Sequence, residues 1–172
     1  MDNIKPYKFP NGNVIFVGKD IIFRPPKKIN VDDIVMEHFE VPAEGDSVQK
    51  VDARLEEIIK DFPFSKSRLT DLAIAVSEAV NNAVNASRER TGSRVGIDIL
   101  YIPEEMLYVS VTDECGHIKI EDINLCVSDT FSTDESGRGF LIMVSLVSVL
   151  AYNPDATSDF KEIILGLEPD KC

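Results

Sequence analysis

The stretch that decides the fold is LTDLAIAVSEAVNNAVNASRER, residues 69–90. In a helix with about 100° per residue, its central polar side chains project from one arc about 100° wide. They are Glu78, Asn81, Asn82 and Asn85. Nearly every other position carries Ala, Val, Ile or Leu, which predicts a helix buried on most sides, with its polar stripe facing a cleft. The alternatives are an amphipathic helix with a solvated face, or a core helix whose amides bond to neighbouring backbone.

Length, charge and cysteine content narrow the class of protein. A chain of 172 residues suits one domain with its own core, and its net charge of −12 argues against a nucleic-acid binder. The three cysteines are an odd number without metal-ligand spacing, and the first 30 residues lack a signal-peptide core. The longest apolar run, residues 140–152, is too short to span a membrane and predicts a core helix. We therefore expect a reduced, cytoplasmic protein without a membrane segment.

The hydrophobic patterns divide the chain into three parts. Residues 1–33 carry several prolines around two β-type runs, at 14–17 and 21–23, and predict an N-terminal extension with a β-hairpin. Residues 34–168 are predicted to form the main domain, and residues 169–172 a tail.

Within the main domain, helical and strand patterns alternate. Strands are predicted at residues 34–41, 94–102, 106–112 and 160–167, and helices at 48–59, 69–90, 121–127 and 140–149. This order predicts an α+β two-layer sandwich, in which a mixed, mostly antiparallel sheet carries helices on one face.

Three separated pieces of sequence have the character of a functional site. Glu78 and Asn82, one helical turn apart, suit magnesium–phosphate chemistry, with the amide oxygen as a metal ligand and the carboxylate free to orient or deprotonate a nucleophile. Asp113 at a strand end suits a hydrogen bond from an exocyclic amine such as that of adenine, although an Asx-turn or a helix cap explains it equally simply. The glycine-bearing loop SGRGF, residues 136–140, precedes a helix and suits phosphate binding, with ordinary turn chemistry as its alternative.

In order and spacing, these pieces resemble the motifs of the anti-sigma-factor serine kinases, a family of the GHKL ATPase superfamily. The resemblance covers about residues 35–167. SEAVNNAV is similar to the family's N box, VTDE to the start of its D box, SGRGFLIM to its G box, and FST at 131–133 to its ATP lid.

The resemblance implies a Bergerat-type ATP-binding fold that binds ATP and Mg²⁺. It implies Glu78 as general base, Asn82 as the Mg²⁺ ligand and Asp113 as the residue that reads adenine. The remaining nucleotide-binding residues that it implies are Gly116, Ser136, Gly137, Arg138, Gly139 and Phe140. The implied partners are a sigma factor and a STAS-domain antagonist that is phosphorylated on a hydroxyl, and the implied assembly is a homodimer.

The D box departs from the family's pattern of D-x-G-x-G-I. Here it reads DECGHI, residues 113–118, with Cys115 and His117 in place of two glycines. This departure favours an alternative function, a non-catalytic sigma- or STAS-binding module with a degenerate nucleotide site. Retention of both Glu78 and Asn82 favours the kinase, because a scaffold has no chemical need for them.

Overall fold

The fold is a single sheet with helices packed on one face. The computed structural model describes residues 5–8, 14–17, 31–87, 90–114, 135–152 and 161–170. The strands are β1 (Lys5–Lys8), β2 (Val14–Val17), β3 (Val35–Pro42), β4 (Arg94–Ile102), β5 (Met106–Asp113), β6 (Val149–Tyr152) and β7 (Lys161–Leu167). The helices are α1 (Ser47–Ile59), α2 (Lys66–Ala86) and α3 (Glu135–Leu146), with a 3₁₀ turn at Val31–Asp33. The predicted α+β sandwich is therefore confirmed.

The strand order in the sheet is β1-β2-β6-β7-β5-β4-β3. The prediction of a mostly antiparallel sheet is confirmed, since all pairings among the described strands are antiparallel. The reason is the connection between β3 and β4. Two successive helices, α1 and α2, form a helical hairpin that returns the chain with its direction reversed.

The N-terminal hairpin joins the same sheet. β2 pairs with β1 on one side and with β6 on the other. The strand at 14–17 was predicted, but its hairpin partner is Lys5–Lys8, and the run at 21–23 lies outside the described residues. β1 contains Pro6 and lies at the sheet edge, where a missing backbone N–H is tolerated.

The apolar run at 140–152 is divided between a helix and a strand, which corrects the prediction of one core helix. α3 ends at Leu146, and β6 then pairs with β2 and β7. A strand buried on both sides reads as a continuous apolar run, which periodicity alone does not distinguish from a buried helix. Among the described helices, none has the length and apolarity needed to cross a lipid bilayer.

α2 is the central element of the helical layer. Ser65 caps its N-terminus, its hydroxyl oxygen accepting from the Arg68 backbone N–H at 3.4 Å, and the helix ends at Ala86, earlier than predicted. Its inner face and the facing strands share one core. Buried members include Leu72, Val76, Ala79, Val80, Ala83, Ile97, Ile99, Val109, Val111 and Leu165. Full burial of one such aliphatic side chain stabilises the fold by about 1.5–3 kcal/mol.

Hydrogen bonds of Arg68 connect the segment after β7 to the start of α2. Its guanidinium donates to Asp170 Oδ1 at 2.9 Å and to Ser148 Oγ at 3.2 Å. The other carboxylate oxygen of Asp170 accepts from the Ser65 backbone N–H at 2.6 Å. The hydrogen bond from Arg68, followed by that from Ser65, lowers the pKa of Asp170 below its ordinary value of 3.8.

The hydrogen bonds of Asp170 to Arg68 and Ser65 predict that the stability of the fold depends on pH. Because the pKa of Asp170 is lower in the folded state, its contribution is complete above pH 3.8 and is lost as the pH falls through the lowered folded pKa. We expect Asp170→Asn to lower the melting temperature at pH 7, and the difference from wild type to shrink in acid, as measured by circular dichroism between pH 2 and pH 7. The control is Asp61→Asn at an exposed site. A difference from wild type that is constant over this range contradicts the prediction.

Candidate functional site

The α2–α3 contact brings Glu78, Asn82 and Gly139 together. A Cβ atom added at Gly139 would lie 3.1 Å from Glu78 Oε2 and 3.4 Å and 3.6 Å from the two amide atoms of Asn82. Gly139 is buried, whereas Glu78 and Asn82 are half-buried. The carboxylate and the amide on one helix therefore lie directly against the backbone of the other.

This close approach depends on the absence of a side chain at Gly139. A contact of 3.1 Å is tighter than real Cβ contacts usually are, so a larger residue there requires the Glu78 carboxylate to move. The result is a polar contact at which two side-chain functional groups meet the backbone of a helix.

The G-box residues lie inside α3 rather than in a loop before it. The predicted helix began at residue 140, but α3 begins at Glu135, so Ser136, Gly137, Arg138 and Phe140 belong to its first turns. The first backbone N–H groups of any helix lack an intrahelical acceptor, and an acidic residue at this end is favourable to the helix dipole. The start of α3 therefore presents backbone donors of the kind that bind anions.

The polar stripe of α2 faces two environments. Glu78 and Asn82 turn toward α3, whereas Asn81 and Asn85 are exposed to solvent. The expectation that all four face an internal cleft was therefore wrong for two of them. The two pairs lie on the two sides of the polar arc, with their centres about 60° apart around the helix axis.

Asp113 ends β5 on the face of the sheet that the helices cover. Along β5, Val109, Val111 and Asp113 share this face, and Asp113 is only 2% exposed. Its strand pairing with Lys161 is the last of the β5–β7 ladder. A carboxylate at this depth is held by specific contacts and is suited to recognising a hydrogen-bond donor.

The connection after α2 reaches the D box through Arg90. Its Nη1 donates to the carbonyl oxygen of Glu114 at 2.6 Å, and its backbone N–H donates to the carbonyl oxygen of Ser87 at 2.9 Å. Sequence reasoning placed Arg90 at the end of a helix and missed this role. No local pattern links two residues that are 24 positions apart.

The rest of the predicted site lies outside the described residues. This applies to Gly116, to Cys115 and His117, to the lid-like FST at 131–133 and to the helix predicted at 121–127. Among Ser136, Gly137, Arg138 and Phe140, only the backbone is described, so their predicted contacts with a nucleotide stay predictions.

The donor atoms at the site suit a metal ion that is coordinated mainly by water and phosphate oxygens. Within the described residues, no group of three or more His, Cys, Asp or Glu side chains has the arrangement to hold a metal ion. The amide of half-buried Asn82 is one hard oxygen donor at the α2–α3 contact. Mg²⁺ suits such a site, since it is commonly held by one or two protein oxygens together with phosphate oxygens and water.

A separate cavity of about 520 Å³ lies on the opposite face of the sheet. Its lining includes Met36, His38, Asp98, Tyr108, Glu162 and Ile164. His38 Nδ1 and Asp98 Oδ1 are 2.7 Å apart, and burial, followed by the Glu105 carboxylate, raises the pKa of Tyr108 above its ordinary value of 10.0. None of the predicted site residues lines this cavity.

Comparison with known proteins agrees with the architecture. The chain is similar in structure to the crystal structure of the RsbU and RsbW domains of Rv1364c from Mycobacterium tuberculosis, with a TM-score of 0.59 and 18% identity. That match covers 80% of this chain and 33% of the other, so this chain spans about a third of its length. The mycobacterial sensor histidine kinase MprB matches with a TM-score of 0.49 and 20% identity, over 77% of this chain and 100% of that one.

At these identities the structural likeness concerns the fold. No curated protein matches the chain by sequence. A family model described as the histidine kinase-like ATPase domain matches residues 41–161. This match takes in Glu78, Asn82, Asp113 and Gly139. Because it spans well over half of the sequence, the chain belongs to the histidine kinase-like ATPase domain family.

Proposed function

We propose that the protein is an anti-sigma-factor type serine/threonine kinase that binds Mg-ATP and phosphorylates a STAS-domain antagonist. The observation that carries the proposal is the meeting of Glu78, Asn82 and the Gly139 backbone at the α2–α3 contact. A base and a metal-ligand oxygen, held against a helix whose first N–H groups lack intrahelical acceptors, are parts that phosphoryl transfer requires, because catalysis here is mainly positioning and charge stabilisation.

Glu78 is the proposed general base. The oxygen of the partner's hydroxyl forms a bond to the γ-phosphorus, the bond from that phosphorus to the β–γ bridging oxygen breaks, ADP leaves, and the hydroxyl proton passes to the Glu78 carboxylate. No Lys or Arg occurs on α2 between residues 69 and 86, so the helix itself brings no cation that competes for this carboxylate.

Asn82 and the first turns of α3 are proposed to hold the phosphate end of the nucleotide. When bound, Mg²⁺ neutralises the phosphate charge, which an acidic chain with a net charge of −12 otherwise repels. Asn82 offers the ion one amide oxygen, and the backbone N–H groups at the start of α3 donate to phosphate oxygens. Asp113 is proposed to accept from the exocyclic amine of adenine.

The proposed partners are a sigma factor and a STAS-domain protein, bound by a cytoplasmic homodimer. These partners rest on the resemblance of the three motifs, and the fold shared with a structure that contains an RsbW domain is in keeping with it. The sigma factor is sequestered when the antagonist is phosphorylated.

The second candidate is a non-catalytic sigma- or STAS-binding module. Cys115 and His117 in the D box favour it, because side chains at these positions add bulk where close approach to a nucleotide calls for glycine. A measurement of nucleotide binding therefore distinguishes the kinase from the non-catalytic module.

Calorimetric titration with ADP and ATP, each with and without Mg²⁺, tests the proposal. We expect a micromolar Kd that requires Mg²⁺ and that Asn82→Ala weakens about tenfold or more, the loss of one contact of about 1.5–3 kcal/mol. The matched control is Asn81→Ala, since Asn81 neighbours Asn82 on the same helix but is exposed. No binding at millimolar nucleotide rejects the kinase and leaves the non-catalytic module.

Glu78→Gln separates binding from transfer. The amide is nearly isosteric but does not accept the proton, so we expect phosphate transfer from radiolabelled ATP to a protein in a lysate of the source cells to fall about 10²–10⁴-fold. Affinity for Mg-ADP should stay within about twofold of wild type, because the proposed contact is with the hydroxyl rather than the nucleotide. Unchanged labelling by the variant rules out Glu78 as the base.

Gly139→Ala tests the close contact of α3 with Glu78. The added Cβ, 3.1 Å from Oε2, must displace the carboxylate, and we expect the same transfer reaction to slow about ten- to a hundredfold. Gly45→Ala is the control, since an added Cβ there has no atom within 4 Å. Equal activity of the two variants contradicts the role given to Gly139.

A further inference from the structure

Arg90 joins the two elements that carry the predicted nucleotide contacts. It follows α2, which bears Asn82, and its guanidinium donates to the carbonyl oxygen of Glu114 at 2.6 Å, one residue beyond Asp113. The backbone N–H of Arg90 is also fixed, donating to the Ser87 carbonyl oxygen at 2.9 Å. Both the backbone and the side chain of Arg90 are therefore held by hydrogen bonds, and the side chain reaches the end of β5.

The carbonyl that Arg90 holds lies beyond the β5–β7 ladder. The last paired residue of β5 is Asp113, opposite Lys161, so the pairing with β7 does not include residue 114. A hydrogen bond from a charged guanidinium is shorter and stronger than one between neutral groups. The hydrogen bond from Arg90 therefore restrains the carbonyl group of residue 114, whereas strand pairing restrains the residues before it.

The backbone conformation of residue 114 bears on Asp113, its neighbour in the chain. The Asp113 side chain is 2% exposed on the helix-covered face, and the backbone on its N-terminal side is held by strand pairing. On the C-terminal side of Asp113, the hydrogen bond from Arg90 to the Glu114 carbonyl oxygen restrains the next residue. A small change in the orientation of the Asp113 carboxylate weakens any hydrogen bond that it accepts, because hydrogen-bond strength falls steeply with misalignment.

We propose that Arg90 is a positioning residue for base selection: by holding the Glu114 carbonyl, it aims the Asp113 carboxylate at the exocyclic amine of adenine. This inference rests on the proposed nucleotide-binding function and adds to it a residue outside the three motifs. Arg90 does not touch the base in this account. It acts through residue 114, which follows Asp113 in the chain.

The test compares ADP with inosine diphosphate, which carries a carbonyl oxygen where adenine carries its amine. Calorimetry with Mg²⁺ gives both Kd values for wild type and variants. We expect wild type to prefer ADP and Arg90→Ala to weaken ADP binding about tenfold, the loss expected for a misaligned charged hydrogen bond, while the Kd for inosine diphosphate changes less than about twofold. Arg90→Lys, which keeps a charged donor, should recover part of the preference.

Two controls separate positioning from general stability. Arg94→Ala removes another exposed arginine, whose Nε lies 3.0 Å from Glu40 Oε2 on the β3–β4 pair, and should leave the ADP preference unchanged. In an Asp113→Asn background the preference is already lost, so adding Arg90→Ala should not reduce it further. A merely structural role for Arg90 lowers the melting temperature and both affinities together, without changing their ratio.

The outcomes are distinct. If wild type binds neither nucleotide, the proposed function fails and this inference fails with it. If wild type prefers ADP and Arg90→Ala keeps the same ratio of Kd values, the inference about Arg90 is overturned and the proposed function stands. A ratio that falls in Arg90→Ala, partly recovers in Arg90→Lys and is unchanged in Arg94→Ala supports it.

Discussion

Burial of α2 is the constraint on which the rest of the structure depends. Its apolar residues occupy most of the helix circumference, and a helix of this kind is stable in water only when other elements cover it. The sheet covers its inner face, while α1 and α3 pack along its sides. The directions of the neighbouring strands follow from this arrangement, because the α1–α2 hairpin carries the chain from β3 back to an antiparallel β4.

The same packing creates the polar site. Where α3 crosses beside Glu78 and Asn82, Gly139 lets the two side chains lie close to its backbone, since an added Cβ would lie 3.1 Å from Glu78 Oε2. A carboxylate, an amide and helix backbone are thereby held in a half-buried place where electrostatic interactions are stronger than in water. The chain has 30 acidic and 18 basic residues, so a phosphate group bound at the proposed site would need local donors and a cation to offset the negative charge.

Periodicity predicted most helices and strands because their residues face one consistent environment. The β4–β5 hairpin and β7 have clear strand patterns, and α1 and α2 have clear helical spacing. The secondary-structure predictions were wrong where the sequence pattern of a segment does not distinguish its actual structure from another one. β6 is apolar throughout and follows α3 after two residues, so its run was indistinguishable from more helix. The start of α3 was placed too late because two glycines and a serine suggested a loop, whereas the helix includes them.

For the site, the sequence by itself determined which residue types are available and their local geometry. Glu78 and Asn82 lie on one face because a helix repeats every 3.6 residues, and Asp113 ends a strand because the apolar alternation stops there. Only the tertiary structure decided that Gly139 contacts Glu78, that Asn81 and Asn85 face solvent, and that Arg90 reaches Glu114. These contacts join residues far apart in the chain, and their existence depends on how helices pack on the sheet, which no local repeat encodes.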